Sequence, residues 1–395
     1  MAPLWTSAEI AAATGGAAAA PFAAGGVAFD SREVGPGDLF VALKGEAADG
    51  HRFVQQALAQ GAAGVLVSDA VEGPHVRVAD TARALDALGV AARARVAGTV
   101  IGVTGSVGKT SVKEALFAAL DRTAPGRAHR SLKSYNNHVG VPLSVARMPR
   151  ETRFGVFEMG MNHAGELAAL TRLVRPQVAL VTTVALAHGA FFADEAAIAD
   201  AKGEIFQGLE PGGTAIIPYD SPHRDRLIAA ARPYAGEIVT FGRSREADVH
   251  AREGIPGPRG TFVQARLRGG EVSFTLAPPG DHWITNALAV LAVVEAGGGD
   301  LAAAGLALAD LAGLPGRGRR IRVTLPGGGE ALLIDEAYKA NPASMRATLH
   351  MLGQEPGGRV AILGSMRELG PDEARHHAEL ATPVEEAGVR AALLV

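Results

Sequence analysis

Apolar residues along this chain follow two rhythms. Some form short continuous runs, as buried strands do. Others recur at every third or fourth position, as on the inner face of a helix. In the first 97 residues this spacing predicts helices over 6–13, 53–60 and 81–95, and strands over 26–30, 38–43 and 64–67. The first helix opens on Ser or Thr followed by Glu, the pattern of a capping box. Strands are then predicted at 99–103, 154–158, 178–183, 214–217 and 237–241, with helices between most of them. Such alternation implies an α/β protein with a mostly parallel sheet covered by helices. Residues 247–276 change character and alternate like antiparallel strands, and a helix follows over 283–296. Gly313-Leu-Pro-Gly-Arg-Gly318 reads as a linker. After it the rhythm restarts, with strands at 331–335, 359–364 and 391–395 and helices at 342–352 and 372–387. These divisions give three domains: 1–97, 98–316 and 317–395. The last stops on a strand, which predicts a small α/β domain that continues beyond Val395.

One junction between the two rhythms carries chemistry. The strand at 99–103 runs into Thr104-Gly105-Ser106-Val107-Gly108-Lys109-Thr110-Ser111, and a helix begins at once. Strand, glycine turn, Gly-Lys-Thr and helix together make a phosphate cradle. Glycines let backbone N–H groups close round phosphate oxygens, and the helix N-terminus adds its partial positive charge. Lys109 would neutralise the β- and γ-phosphates, and the Thr110 hydroxyl would reach Mg²⁺. The usual loop has four residues between its first glycine and Gly-Lys. Here Gly105 leaves two, so the loop is a variant. An ordinary glycine turn with a chance Gly-Lys-Thr is the alternative.

Composition narrows the field. The formal net charge is −3, and no polybasic run suggests a nucleic-acid partner. There is no cysteine, which excludes disulfides, thiolate metal sites and a cysteine nucleophile and is compatible with a reducing cytosol. The N-terminus has no basic segment followed by an apolar core, and no apolar stretch is long enough to span a bilayer. The expectation is a cytoplasmic protein without membrane insertion.

Other polar residues stand where they bear on the cradle. Glu158 ends the strand at 154–158, where a carboxylate can hold Mg²⁺; a capping or solvated glutamate is the other reading. His188 follows the strand at 178–183 and is open to the reading of a lone core histidine. Lys202, taken alone, reads as a surface lysine on a helix. Asp335 closes an apolar strand and could face a nucleotide or an amine. Asn136 and Asn137 can read amides and carboxylates, although such a pair more often marks a turn.

Taken in order, these segments resemble the Mur ligases of peptidoglycan synthesis along almost the whole chain. The matching pieces are Asp30-Ser-Arg32, Gly37-Asp-Leu-Phe-Val-Ala-Leu-Lys-Gly45, Asp49-Gly-His-Arg-Phe53, Thr104–Thr110, Ser134-Tyr-Asn-Asn137 with Gly140-Val-Pro142, and Glu158-Met-Gly-Met-Asn162. They continue with Ala201-Lys-Gly-Glu-Ile-Phe206, His282 with Asn286-Ala-Leu288, Gly316-Arg317, and Asp335-Glu-Ala-Tyr-Lys-Ala-Asn-Pro342. The resemblance implies a three-domain fold: a UDP-sugar-binding domain, a central ATP-binding domain with a phosphate-loop sheet, and a Rossmann-like C-terminal domain, here incomplete. It implies an ATP- and Mg²⁺-dependent ligase, monomeric, that joins D-alanyl-D-alanine to UDP-N-acetylmuramoyl-tripeptide. Lys109 and the loop would bind the ATP phosphates. Thr110, Glu158, His188 and a carbamylated Lys202 would hold Mg²⁺. Asn286 would contact adenine, and Arg317 and Asp335 would complete the nucleotide site. Ser31, Arg32, Asp49 and His51 would belong to the UDP-sugar site, with Asn136 and Asn137 along the muramoyl peptide.

The sequence departs from the family pattern at Ala337 and Lys339. Lys339 puts a cation where the family usually has a neutral amide. The relative that adds the third peptide residue would carry Asp-Asn-Pro-Arg, which is not found after Tyr338. Folylpolyglutamate synthases share the loop but would lack the Asp30-Ser-Arg32 domain. A non-catalytic nucleotide-binding fragment is the rival of another class.

Overall fold

In a computed structural model, residues 3–45, 48–185, 191–257 and 260–395 are described. The central sheet has nine strands, and its phosphate-loop strand Thr99–Thr104 lies between Phe154–Glu158 on one side and Val178–Val181 on the other. Ala128–Arg130 closes one edge, and Thr214–Pro218 and Glu237–Gly242 extend the other, all in parallel. The chain leaves Thr99–Thr104 for one side of the sheet and later returns to the other. The carboxyl ends of its strands therefore open on a crevice at that switch point, where ligands bind in open α/β sheets. Beyond Glu237–Gly242, the strands Val249–Gly257, Gly260–Arg266 and Glu271–Leu276 form the expected antiparallel extension.

The pleat divides Thr99–Thr104 between two cores. Ile101 and Val103 face one side, with Val112 and Leu116 of the helix Lys109–Thr123 and Leu288 and Leu291 of the helix Asp281–Ala296. Val100 faces the other, with Phe157, Val145 and Leu167. Alternation of this kind sends successive side chains to opposite faces of a strand.

A second sheet of five strands is built from the N-terminal residues: Ala17–Ala18, His75–Arg77, Gly64–Val67, Asp38–Val41 and Gly26–Ala28, in that spatial order. All but the first pair are parallel. Thr6 caps the helix Ser7–Thr14 through the expected box with Glu9. The helix Thr81–Ala94 is common to both bodies, since Leu85, Leu88 and Ala92 pack in one core with Leu39, Leu66, Val141 and Val145.

The C-terminal residues depart from expectation in two places. Glu330–Asp335 does not join a small parallel sheet. It pairs antiparallel with Arg319–Thr324, a strand whose alternating arginines hid it, and forms a separate hairpin. Arg359–Leu363 and Val389–Leu394 make the parallel pair, with Pro342–Gln354 among the helices packed on it. The helix expected over 372–387 is two short ones, Glu373–Ala378 and Ala381–Glu386. Pro383 has no N–H to give the Glu379 carbonyl, and its ring would collide with that carbonyl, so the helix breaks there. Among the described residues no helix is long and apolar enough to cross a membrane.

Candidate active site

The phosphate loop is shaped for glycine where the sequence has it. Gly105 has φ +149°, and a Cβ there would lie 1.9 Å from the Thr182 Oγ1. Gly108 caps the helix at φ +88° in the left-handed region, which glycine enters without a steric penalty. The loop is tied to the segment after Val178–Val181. Ser106 N–H donates to the Thr183 carbonyl at 2.9 Å and Val107 N–H to the Thr183 Oγ1 at 3.0 Å, while the Thr182 hydroxyl donates to the Val107 carbonyl at 2.6 Å. Ser106 Oγ donates to the Ala185 carbonyl at 2.8 Å. Ser106 and Val107 therefore shape the loop with their N–H groups already engaged. The helix start from Lys109 to Ser111 is left to face a phosphate.

Lys109 folds back over the loop and donates to the Gly105 carbonyl at 2.6 Å. Burial lowers its ammonium to about 8; Glu158 opposes the shift, and Lys339 and Arg317 add to it. Thr110 is buried, and its hydroxyl donates to Glu158 Oε2 at 2.9 Å. Glu158 is 1% exposed, and its other oxygen accepts from Asn136 Nδ2 at 2.8 Å. Glu158 is thus neither a helix cap nor a solvated side chain. Hydroxyl and carboxylate are hard oxygen donors, the kind Mg²⁺ takes, so the residues at the mouth of the loop fit that ion.

Lys202 is not the surface lysine its sequence suggests in isolation. It lies in the last turn of the helix Glu195–Gly203 with 2% of its surface exposed. Burial pushes its pKa well below the usual lysine value, and the charges of Lys109 and Lys339 push it the same way. Among the described residues no carboxylate lies within ion-pair distance of it. His188 lies outside the described residues.

Asn286 stands in the second turn of the helix Asp281–Ala296, and its Oδ1 would be 3.0 Å from a Cβ on Gly108, so it backs directly on the phosphate loop. The C-terminal body sends Arg317 and Lys339 toward the same place. The Arg317 guanidinium lies over the Tyr338 ring at 4.4 Å. Asp335 fixes this turn by accepting from Gly316 N–H at 2.8 Å and Ala337 N–H at 3.2 Å. Burial raises the neighbouring Glu336 to about 7, with Arg317 lowering it and Asp335 raising it.

The residues expected at the sugar site lie at the carboxyl edge of the N-terminal sheet. Ser31 is buried, and Arg32 folds onto Asp30 at 2.6 Å, which holds the Asp30 carboxyl at about 2. His51 is held at both ring nitrogens. Its Nδ1 is 2.6 Å from Asp49 and its Nε2 accepts from Ser68 N–H at 2.9 Å. That acceptor role places the ring proton on Nδ1, facing Asp49, so both nitrogens are engaged and His51 fixes the shape of its loop. Asn137 Oδ1 accepts from Gly140 N–H at 2.9 Å and starts a helix, whereas Asn136 faces Glu158. Three residues missed in the sequence belong here. Glu33 accepts from Tyr135 Oη at 3.0 Å and pairs with Lys133, clasping the N-terminal body to the loop that carries Asn136. Lys113, three residues after Thr110, lies 3.7 Å from Glu158. Helical spacing alone puts Thr110 and Lys113 on one face and was the available signal.

Comparison with known proteins follows the same outline. Residues 24–101 match the Mur ligase family catalytic domain, 103–294 the Mur ligase middle domain, and 319–395 the Mur ligase glutamate ligase domain. The Escherichia coli UDP-N-acetylmuramoyl-tripeptide–D-alanyl-D-alanine ligase is 37% identical over 93% of this chain and 80% of its own length. Crystal structure I of MurF from Acinetobacter baumannii superposes with a TM-score of 0.85 at 31% identity, covering 98% of this chain and 89% of that one. MurF ligase from Thermotoga maritima, solved in complex with ADP, superposes at 0.76 with 26% identity over 93% of this chain and 87% of that one. The chain belongs to the Mur ligase family, as a MurF-type ligase.

Proposed function

We propose that this chain joins D-alanyl-D-alanine to the terminal carboxylate of UDP-N-acetylmuramoyl-tripeptide, converting ATP to ADP and phosphate. The observation that carries the chemistry is the Thr110–Glu158 pair at the mouth of the phosphate loop, held through Asn136 to the loop that also grips the N-terminal body. Phosphate chemistry and the peptide-bearing substrate are thereby brought to one crevice.

A carboxylate is a poor electrophile because oxide would have to leave. In the first step a carboxylate oxygen attacks the γ-phosphorus and the bond to ADP breaks, giving an acyl phosphate. Lys109 would offset charge on the transferring phosphoryl group, and the N–H groups at the helix start from Lys109 to Ser111 would hold it in line. The dipeptide amine then attacks the acyl carbon, and the tetrahedral adduct collapses by expelling phosphate. Water would destroy the acyl phosphate, so the site must be closed. Arg317 and Lys339 of the C-terminal body lie near enough for their charges to act on Lys109, and they would supply that closure.

Thr110 and Glu158, with His188, would hold Mg²⁺, which when bound would neutralise phosphate charge. Lys202 would join them as a carbamate. Among the described residues, the charges that act on the buried Lys202 ammonium are those of Lys109 and Lys339, an unfavourable setting that carbamylation would reverse in sign. Ser31 and Arg32 would meet the UDP-sugar, with Asp49 and His51 shaping that site. A reaction fed by ATP and a UDP-linked precursor belongs in the cytoplasm.

The test is phosphate release from ATP with UDP-N-acetylmuramoyl-tripeptide, with and without D-alanyl-D-alanine. Sustained release only when both are present, with a pentapeptide product, is expected. Absence of release with the full set of substrates would refute the ligase reading.

A further inference from the structure

Lys113 is fully buried, one turn beyond Thr110. A buried ammonium persists only when it is paired. Its Nζ donates to the Lys133 carbonyl at 2.6 Å and lies 3.1 Å from Glu114 Oε1 and 3.7 Å from Glu158 Oε2. Glu114 is turned the other way as well, to Arg130 at 2.8 Å. The carbonyl that Lys113 holds belongs to a residue at φ +50°, a left-handed conformation that a residue with a side chain adopts only when its surroundings enforce it.

The strained residue sits in the middle of a loop with several attachments. Ser131 Oγ accepts from Glu158 N–H at 3.1 Å. Tyr135 reaches Glu33 in the N-terminal body, and Asn136 donates to the Glu158 carboxylate. The Asn136 carbonyl accepts from Gly160 N–H at 2.7 Å. Among the described residues, Lys113 alone reaches both the loop's strained point and the carboxylate at the mouth of the phosphate loop. It also places positive charge between the buried Glu158 carboxylate and the partly exposed Glu114 carboxylate.

We propose that Lys113 is a positioning residue of the metal–nucleotide site: its ammonium fixes the 131–137 loop and the Glu158 carboxylate in the arrangement that receives Mg²⁺ beside Thr110. It touches neither nucleotide nor peptide and acts through Glu158 and Asn136. This inference rests on the Mg²⁺ reading given above.

The test is calorimetric binding of ADP to the full chain, once with a chelator and once with Mg²⁺. The ratio of the two dissociation constants is the gain from the metal. In Lys113→Met, metal-free ADP affinity stays within about twofold of the unsubstituted protein. The metal gain falls by roughly tenfold, the scale on which outer partners of metal ligands act. Lys113→Arg, which keeps the charge, retains most of the gain. Should Lys113→Met fail to fold, Lys113→Gln keeps a donor for the Lys133 carbonyl and is held to the same expectation, with melting temperature checking its integrity. An unchanged metal gain in a folded Met or Gln variant overturns the proposal, and so does an equal loss with and without metal. A metal gain absent from the unsubstituted protein would instead refute the Mg²⁺ reading itself.

Discussion

The Thr110 hydroxyl donates to Glu158 Oε2 at 2.9 Å, although the two residues come from different strand–helix units of the central sheet. One begins the helix after the phosphate loop, and the other ends the neighbouring parallel strand. Parallel pairing puts Glu158 beside Val103 in register, so the carboxylate arrives at the loop mouth as a consequence of topology. Glu158→Gln preserves shape and can still accept from Thr110. Its melting temperature is expected to fall by roughly a few degrees, because buried Lys113 keeps Glu114 but loses one of its two carboxylates. Its kcat/KM should fall by about a thousandfold, the scale of losing charge stabilisation in phosphoryl transfer. Steady-state kinetics alongside a thermal melt checks this.

Gly105→Ala is expected to fail structurally. Its Cβ would lie 1.9 Å from Thr182 Oγ1, and its φ of +149° is disfavoured for any side chain. Strain of this kind costs on the order of 1–3 kcal/mol. The loop and the Thr182–Ala185 segment should separate, with loss of nucleotide binding. Denaturant unfolding with and without ADP measures both effects. An alanine variant of parental stability that still binds ADP would contradict the loop geometry.

Glu33→Gln tests the clasp between the N-terminal body and the catalytic loop. Glu33 is partly exposed, so the stability cost should stay within about 1 kcal/mol. The KM for the UDP-linked substrate should rise several-fold while the KM for ATP changes little. Equal changes in both constants would show that the clasp does not serve the sugar side.

Acid stability should report His129. Its ring is half-buried on the edge strand Ala128–Arg130, with Nε2 2.9 Å from the Ser144 carbonyl. Burial lowers its pKa from 6.5 to about 4, the Ser144 carbonyl opposes the shift, and Arg147 and Arg130 add to it. Between those values the unfolded chain binds the extra proton, so stability is full above pH 6.5 and is lost as pH falls toward 4. The loss approaches about 3 kcal/mol. Chemical unfolding of His129→Gln against the parent at pH 7 and pH 4.5 should show the parent losing more.

Much of this was legible in the sequence because it is local. The strand–loop–helix around Lys109 and the carboxylate ending 154–158 follow from short-range spacing. What escaped depends on contacts distant in the chain. Lys202 looks exposed on its own helix and is buried only by the assembled site. Nothing near His51 in the sequence signals that Ser68, seventeen residues on, occupies its second nitrogen. The strand Arg319–Thr324 is masked by its arginines, and the Glu33–Tyr135 clasp spans two bodies with no sequence signal at all.

The central claim is that the phosphate loop delivers its phosphoryl group to a peptide carboxylate. UDP-N-acetylmuramoyl-tripeptide labelled with ¹⁸O in its terminal carboxylate, supplied with ATP and D-alanyl-D-alanine, tests it most directly. The account predicts one ¹⁸O in each phosphate released, carried over by the bridging oxygen of the acyl phosphate. Unlabelled phosphate accompanying pentapeptide formation would contradict it.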